Sequence, residues 1–457
     1  MVARSRPFEL LSPGFVAVRE DLGTSSGLTR SGYSPPAPFT TVEVSVGDAP
    51  GSVLAGLSAE NGDHLLGFHD AGTGQVGLEL RTGETTTVLA HSRVRRRVRR
   101  LAFVLCENQP TVLVDTGRGW RPVVTDRHRV APRVDLRVPS TLARFTATWG
   151  LRGGTPDGGL VRAGLFGMAG IRDLHVVQHA DGTPYTRDGR MFLTATCAGL
   201  GFFQQAHWGV FAFDPAALGG SGPEGDVAGE IRLEQTAHLF SRRDGLLLGD
   251  HAGQIVRDGD RWLVGVSSWG DFAPHRSVHV RHATTTDDLL DGVHVLDTEP
   301  APMPTTRGSY DPGMTRINGR WHVSYVESVS HQPSQFHPAL AVGKAGAGHW
   351  TEGLQRVGEA TDLPFCEGPI LARPDGEWRV LASDGRARRY RVFDLAMRPL
   401  GDLDAPYGTN LPHPQIFELP DGQRVLVTFD GTQYGKRVLG YGTHGDVIVM
   451  RATRPPS

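Results

Sequence analysis

From Thr40 to about Leu151 the chain alternates apolar and polar residues with period two, as in Thr41-Val-Glu-Val-Ser-Val46, Val76-Gly-Leu-Glu-Leu80 and Thr111-Val-Leu-Val-Asp115. That period places one apolar face on each short strand. Turn signals such as Thr82-Gly83 and Thr116-Gly-Arg-Gly119 separate the strands. Short strands at regular spacing with one buried face predict a β-sandwich. A composition break at Gly153-Gly-Thr-Pro-Asp-Gly-Gly159 ends the pattern, which divides the chain into 1–155 and 156–457.

The second part repeats. A polar residue, a short strand, a turn ending in Gly and a second strand recur five times. The copies begin Ile171-Arg-Asp173, Gly249-Asp250-His251, Ser309-Tyr-Asp311, Phe365-Cys-Glu367 and Leu411-Pro-His413. The turn glycines Gly182, Gly259, Gly319, Gly376 and Gly422 follow eight or nine residues after each key polar residue. Asp-Gly and Asn-Gly supply the positive φ that a tight hairpin needs. Repeats of this length predict a propeller, and five copies predict five blades. The expected fold is therefore all-β: an N-terminal β-sandwich followed by a five-bladed β-propeller.

Composition changes this picture little. Gly (59) and Pro (31) are abundant, in keeping with many tight turns. Lys and Arg total 47 against 49 Asp and Glu, a net charge of −2, which gives no global case for nucleic acid or an anionic membrane. Three well-separated cysteines, Cys106, Cys197 and Cys366, argue against a disulfide framework. No stretch approaches the ~20 apolar residues of a membrane span. The first residues contain no apolar run of signal-peptide length, so the sequence reads as cytoplasmic. The densest charge cluster, Arg93-Val-Arg-Arg-Arg-Val-Arg-Arg100, reads first as a solvent-facing strand whose arginines discourage edge pairing. An anion or polysaccharide contact is the alternative.

In a propeller the innermost strand of each blade runs along one central channel. Equivalent positions therefore point into a shared funnel, here Asp173, Asp250, Asp311, Glu367 and His413. Clustered carboxyls raise one another's pKa values, and acid/base chemistry exploits that. His251, Trp269, Trp208, Phe202 and Phe203 follow the strands of the first two blades, and His331 lies in the polar stretch Ser330–His337. The histidines suit substrate binding. The aromatics suit either sugar stacking or core packing.

With Ile-Arg-Asp173-Leu, Tyr-Asp311-Pro-Gly, Cys-Glu367-Gly-Pro and Leu-Pro-His413-Pro in this order, residues 165–453 resemble glycoside hydrolase family 43 and its clan of arabinanases, arabinofuranosidases and xylosidases. The preceding half resembles the laminin-G or concanavalin type of sandwich. The first resemblance implies an inverting glycosidase acting on furanosides or xylosides. In it Asp173 is the base, Asp311 tunes pKa and orientation, and Glu367 is the acid. It implies no required cofactor, and allows a calcium or another cation on the axis, held by His413 through water. The implied partner is a small-molecule or oligosaccharide substrate, with neither nucleic acid nor membrane. Three departures stand out: the additional Asp250, a sandwich that precedes the propeller, and no visible export signal. They keep open a tailoring enzyme that cyclises or rearranges a metabolite on the same scaffold, beside a carbohydrate-binding protein without catalysis.

Overall fold

The structure, a computed structural model, describes residues 2–21, 27–47, 51–153, 159–219, 232–331, 333–419, 422–431 and 445–451. Two six-stranded antiparallel sheets form the first unit. One runs Trp120–Thr125, Gln109–Asp115, Arg100–Cys106, Phe39–Ser45, Leu160–Met168, Glu9–Asp21. The other runs Gly27–Arg30, Phe145–Arg152, Ser52–Ala59, His64–Asp70, Gln75–Thr82, Thr85–Arg93. The period-two pattern explains the packing. Val42 and Val44, Val76, Leu78 and Leu80, and Val112 and Val114 from the two sheets close one core around Phe103 and Trp149.

Five further sheets follow. Their inner strands are Ile171–Val176, His251–Asp258, Ser309–Ile317, Cys366–Ala372 and Gln415–Glu418. Each touches the next and the last touches the first, so the ring is closed. The fold is thus all-β, a sandwich and a five-bladed propeller. Trp208 and Trp262 fill the wedge between the first two blades, and Trp321 and Trp350 the wedge between the second and third.

Strand pairing divides the chain differently from 1–155 and 156–457. Leu160–Met168 lies inside a sandwich sheet, between Phe39–Ser45 and Glu9–Asp21. Val2–Ser5 pairs with Asp446–Arg451 and completes the fifth blade. Two arginines, one in that closing strand and one just after it, hold it. Arg6 makes a bidentate contact to the fully buried Asp446 at 2.9 and 3.0 Å, and Arg4 reaches Asp430 at 2.9 Å. The first repeat also differs from its reading. Gly182 does not turn into the second strand; Asp188-Gly189, both at positive φ, does. Gln178–His179 instead pairs in parallel with the inner strand of the second blade.

The two units share a core. Phe39 stacks on Phe240 at 5.5 Å, and Leu10, Cys106, Phe166 and Leu200 pack around them. Truncating such a buried ring costs about 3–5 kcal/mol. Cys106, Cys197 and Cys366 are all buried and free. Among the described residues no helix is long and apolar enough to cross a membrane.

Candidate active site

A β-bulge recurs on the inner strand of the first four blades. Register shifts fall between Arg172 and His175, His251 and Gln254, Tyr310 and Gly313, and Glu367 and Ile370. The first bulged residue has positive φ each time: Asp173 (49°), Ala252 (53°), Asp311 (52°) and Gly368 (63°). A bulge of this kind re-aims side chains beside a site, and Asp tolerates the left-handed region better than most residues. Hydroxyls of the preceding blade hold the bulges. The Ala252 and Asp311 amides donate to Thr196 Oγ1 (3.1 Å) and Ser267 Oγ (2.9 Å). Thr194 and Ser324 donate to the Gly253 and Pro369 carbonyls at 2.7 and 2.9 Å. Gly368 is required where it stands, because a Cβ there would lie 2.2 Å from the His413 ring.

These bulges bring four of the expected groups together. His413 Nε2 lies 3.5 Å from Asp311 Oδ2, 3.7 Å from Asp173 Oδ1 and 3.8 Å from Glu367 Oε1. Two oxygens 3.7 and 3.8 Å from one atom are at most about 7.5 Å apart, which reaches into the ~6.5–9.5 Å range of inverting glycosidases. His413 is buried, and among the described residues neither ring nitrogen has a hydrogen-bond partner. The Gly368 amide donates to Asp311 Oδ2 at 3.3 Å. Of the three carboxyls, Glu367 is the most exposed, at 16% of its side chain against 7% for Asp173 and 4% for Asp311.

The environment drives these groups apart. Burial alone would lower the pKa of His413, but the charges of Asp311, Glu367 and Asp173 raise it to about 9. Burial would raise Asp173, yet His413, Arg172 and His251 together hold it below the usual carboxylate range. Burial pushes Asp311 well above that range. His413 opposes the shift, and the charges of Glu367 and Asp173 add to it. One imidazole thus faces three carboxyls, of which Asp173 is held low and Asp311 pushed high by their surroundings.

His251 joins the site: Nδ1 lies 4.0 Å from Asp173 and 3.3 Å from Thr196 Oγ1, and Nε2 lies 3.0 Å from the Phe203 carbonyl. Trp269 stacks on His251 at 6.3 Å and meets Tyr310, Phe203 and Phe272 edge-on or tilted. Phe202 packs on Phe203 and is exposed. Trp208 does not reach the site; it is a core residue between two blades. The His331 side chain lies outside the described residues.

Asp250 is the main correction. The bulge makes Ala252, two residues later, the equivalent of Asp173. Asp250 is buried elsewhere, bonded by Arg243 Nε and Nη2 at 2.7 and 2.9 Å and by the Gly270 amide at 2.9 Å. Glu367 is equivalent to Arg172, His251 and Tyr310, one residue before the bulge, yet it still reaches His413. Arg172, Thr196, Tyr310 and Gly368 belong to the site's architecture and were not singled out from the sequence. Three of them directly precede or follow a key residue, which was their only signal. Among the described residues no three His, Cys, Asp or Glu side chains are arranged to hold a metal ion.

No protein-family model matches the chain, and no curated protein matches it. Solved structures do. A thermostable family-43 glycoside hydrolase is 13% identical, with 63% of this chain and 90% of that one covered at a TM-score of 0.40. The GH43_1 enzyme from Xanthomonas citri complexed with xylotriose is 14% identical, covering 62% and 87% at 0.41. Penicillium chrysogenum α-L-arabinanase complexed with arabinobiose is 13% identical, covering 94% and 98% at 0.37. Likeness at this level says nothing of reaction or substrate.

Proposed function

We propose that the chain is an inverting glycoside hydrolase acting on furanosides or xylosides, the substrate class implied by its sequence resemblance. The carrying observation is the set of three carboxyls within 3.8 Å of His413 Nε2, one held low and one held high by their surroundings. Asp173 is the base: a carboxylate that stays ionised can take a proton from water. Water oxygen then bonds to the anomeric carbon, and its proton passes to Asp173. Glu367, the carboxyl most open to the funnel, gives its proton to the departing oxygen as the glycosidic C–O bond breaks. Burial pushes Asp311 toward its neutral form, and His413 faces all three carboxyls. Trp269, 8% exposed and packed against His251, Tyr310, Phe203 and Phe272, backs the site from within the core.

The test is turnover on nitrophenyl arabinofuranosides and xylosides, with the product anomer read by NMR. Glu367→Gln is expected to lose most activity on poor leaving groups and retain more on activated aryl glycosides. Asp173→Asn is expected to impair both. Equal loss on both substrate types for Glu367→Gln removes it from the acid role. A retained anomer overturns inversion. Full activity in both variants favours the non-hydrolytic tailoring enzyme.

A further inference from the structure

The arginine cluster is not a strand. After Arg93 ends the edge strand Thr85–Arg93, residues 94–99 cross between the two sheets and enter Arg100–Cys106. The pattern of the crossing explains its shape. Val94 and Val98 are buried in the sandwich core, so Arg95, Arg96 and Arg97 between them are turned outward and exposed. Gly74, at φ 69°, accepts the Val94 amide at 2.8 Å, and a Cβ on it would lie 2.7 Å from the Val94 carbonyl oxygen. The crossing therefore rests on a glycine-rich turn, and between them lies a groove of about 570 Å³.

Its lining is chemically one-sided. Arg93, Arg95, Arg96 and Arg97 line it with Gly47, Ala71, Gly72 and Thr73, and among the described residues no carboxylate does. Among the described residues Arg93, Arg95 and Arg96 have no carboxylate within ion-pair distance, whereas the adjacent Arg100 is neutralised by Glu43 and Asp115 at 3.0 and 2.7 Å. His69, 5% exposed, also lines the groove, and among the described residues its buried Nδ1 has no hydrogen-bond partner. A row of guanidinium forks suits carboxylate and sulfate groups. Among the described residues no aromatic side chain lines the groove for base stacking, and the chain as a whole is not basic. Both observations favour a glycan over a nucleic acid. The groove stands at the start of the strand whose far end, Cys106, enters the propeller contact. Seven residues of strand put these ends ~20 Å apart, so the groove holds a stretch of ligand well away from the funnel.

We propose that this groove is a binding site for an anionic polysaccharide, one bearing carboxylate or sulfate groups. The site stands apart from the funnel and from the reaction proposed for it. The full chain is titrated at low salt with polygalacturonate, dextran sulfate, neutral dextran and duplex DNA, following binding by calorimetry. One or both acidic glycans are expected to bind, with affinity falling as salt rises, and neutral dextran is not. The arm that binds tighter assigns carboxylate or sulfate. Arg95→Ser/Arg96→Ser is expected to weaken binding about tenfold, with unchanged melting temperature and unchanged turnover. Arg93→Ser, on the neighbouring strand, gives an independent loss. Binding of neither acidic glycan overturns the proposal, as does undiminished binding in these variants. DNA held as tightly as the acidic glycans overturns it in favour of a nucleic-acid site.

Discussion

Two buried acidic clusters lie in the same ring of blades, and they are built on opposite terms. Around Asp250 every charge is met at close range. Arg243 bonds both Asp250 oxygens, Asp271 Oδ1 and the Gly270 carbonyl at 2.7–2.9 Å. Around His413 three carboxyls share one imidazole at 3.5–3.8 Å, and burial pushes Asp311 toward its neutral form. The first arrangement is what a fold needs when it buries charge: a planar fork satisfied by its partners. The second leaves electrostatic strain unrelieved, which a fold alone has no reason to keep. Acid content does not separate a structural cluster from a reactive one; the way each charge is satisfied does.

Substitution at the two clusters breaks this contrast most sharply in turnover. Glu367→Gln is expected to lower kcat on a poor leaving group ~10³-fold, the scale of a lost general acid. Asp250→Asn is expected to leave kcat of the folded enzyme within about threefold, since Asp250 touches no reacting group. A matched drop in both variants would dissolve the distinction. Stability should rank them in reverse. Asp250→Ala removes the fully buried partner of Arg243 and leaves it Asp271 and Asp244, with an expected loss of about 3 kcal/mol in denaturant unfolding. Asp311→Asn removes a crowded acid from the axis, so a gain of ~2 kcal/mol is expected together with lost activity. An Asp311→Asn protein less stable than wild type would show that the axis is structural after all.

The contrast was invisible in the sequence for a definite reason. Asp250 stands nine residues before its turn glycine, as Asp173, Glu367 and His413 do, so counting back from the turn made it their equivalent. The bulges consume a residue in each inner strand, and only strand register shows that Ala252, not Asp250, has the conformation of Asp173 and Asp311. A slip of two preserves the period-two pattern and leaves no trace in it. The blades themselves were legible because each carries its own turn and alternation. The closing strand was not: Val2–Ser5 spans four residues and pairs with a partner more than 440 positions away. Glu9–Asp21 was missed because Pro13-Gly14 interrupts it and its register shifts twice. Trp208 and Trp269 both follow inner strands, yet the first sits within the third strand of its blade, facing the next blade, while the second lies beyond its strand, at the site. Nothing in local composition distinguishes those two places.

The finest test of the contrast uses pH, because the well-satisfied cluster has one member that is not an ion pair. Glu107, at the end of a sandwich strand, approaches Asp250 and Asp271 and is fully buried. Burial raises its pKa to about 8; Arg137 and the Gly249 amide oppose the shift, and Asp271 and Asp250 add to it. Its ordinary value is 4.5, so between these two values the folded protein holds a proton that the unfolded chain has released. The resulting stability is complete below pH ~4.5 and is lost as pH rises through ~8. His413, raised from 6.5 to about 9, contributes with the same sign but in a later window, from pH ~6.5 to ~9. Glu107→Gln cannot ionise. It is expected to flatten the fall in unfolding free energy between pH ~5 and ~6.5 by about 2 kcal/mol, while leaving the decline toward pH ~9 in place. If the two proteins lose stability in parallel across the whole range, Glu107 is ionised in the folded state. The junction would then carry a buried negative charge beside Asp250 and Asp271, and the claim that this cluster is fully satisfied would fail.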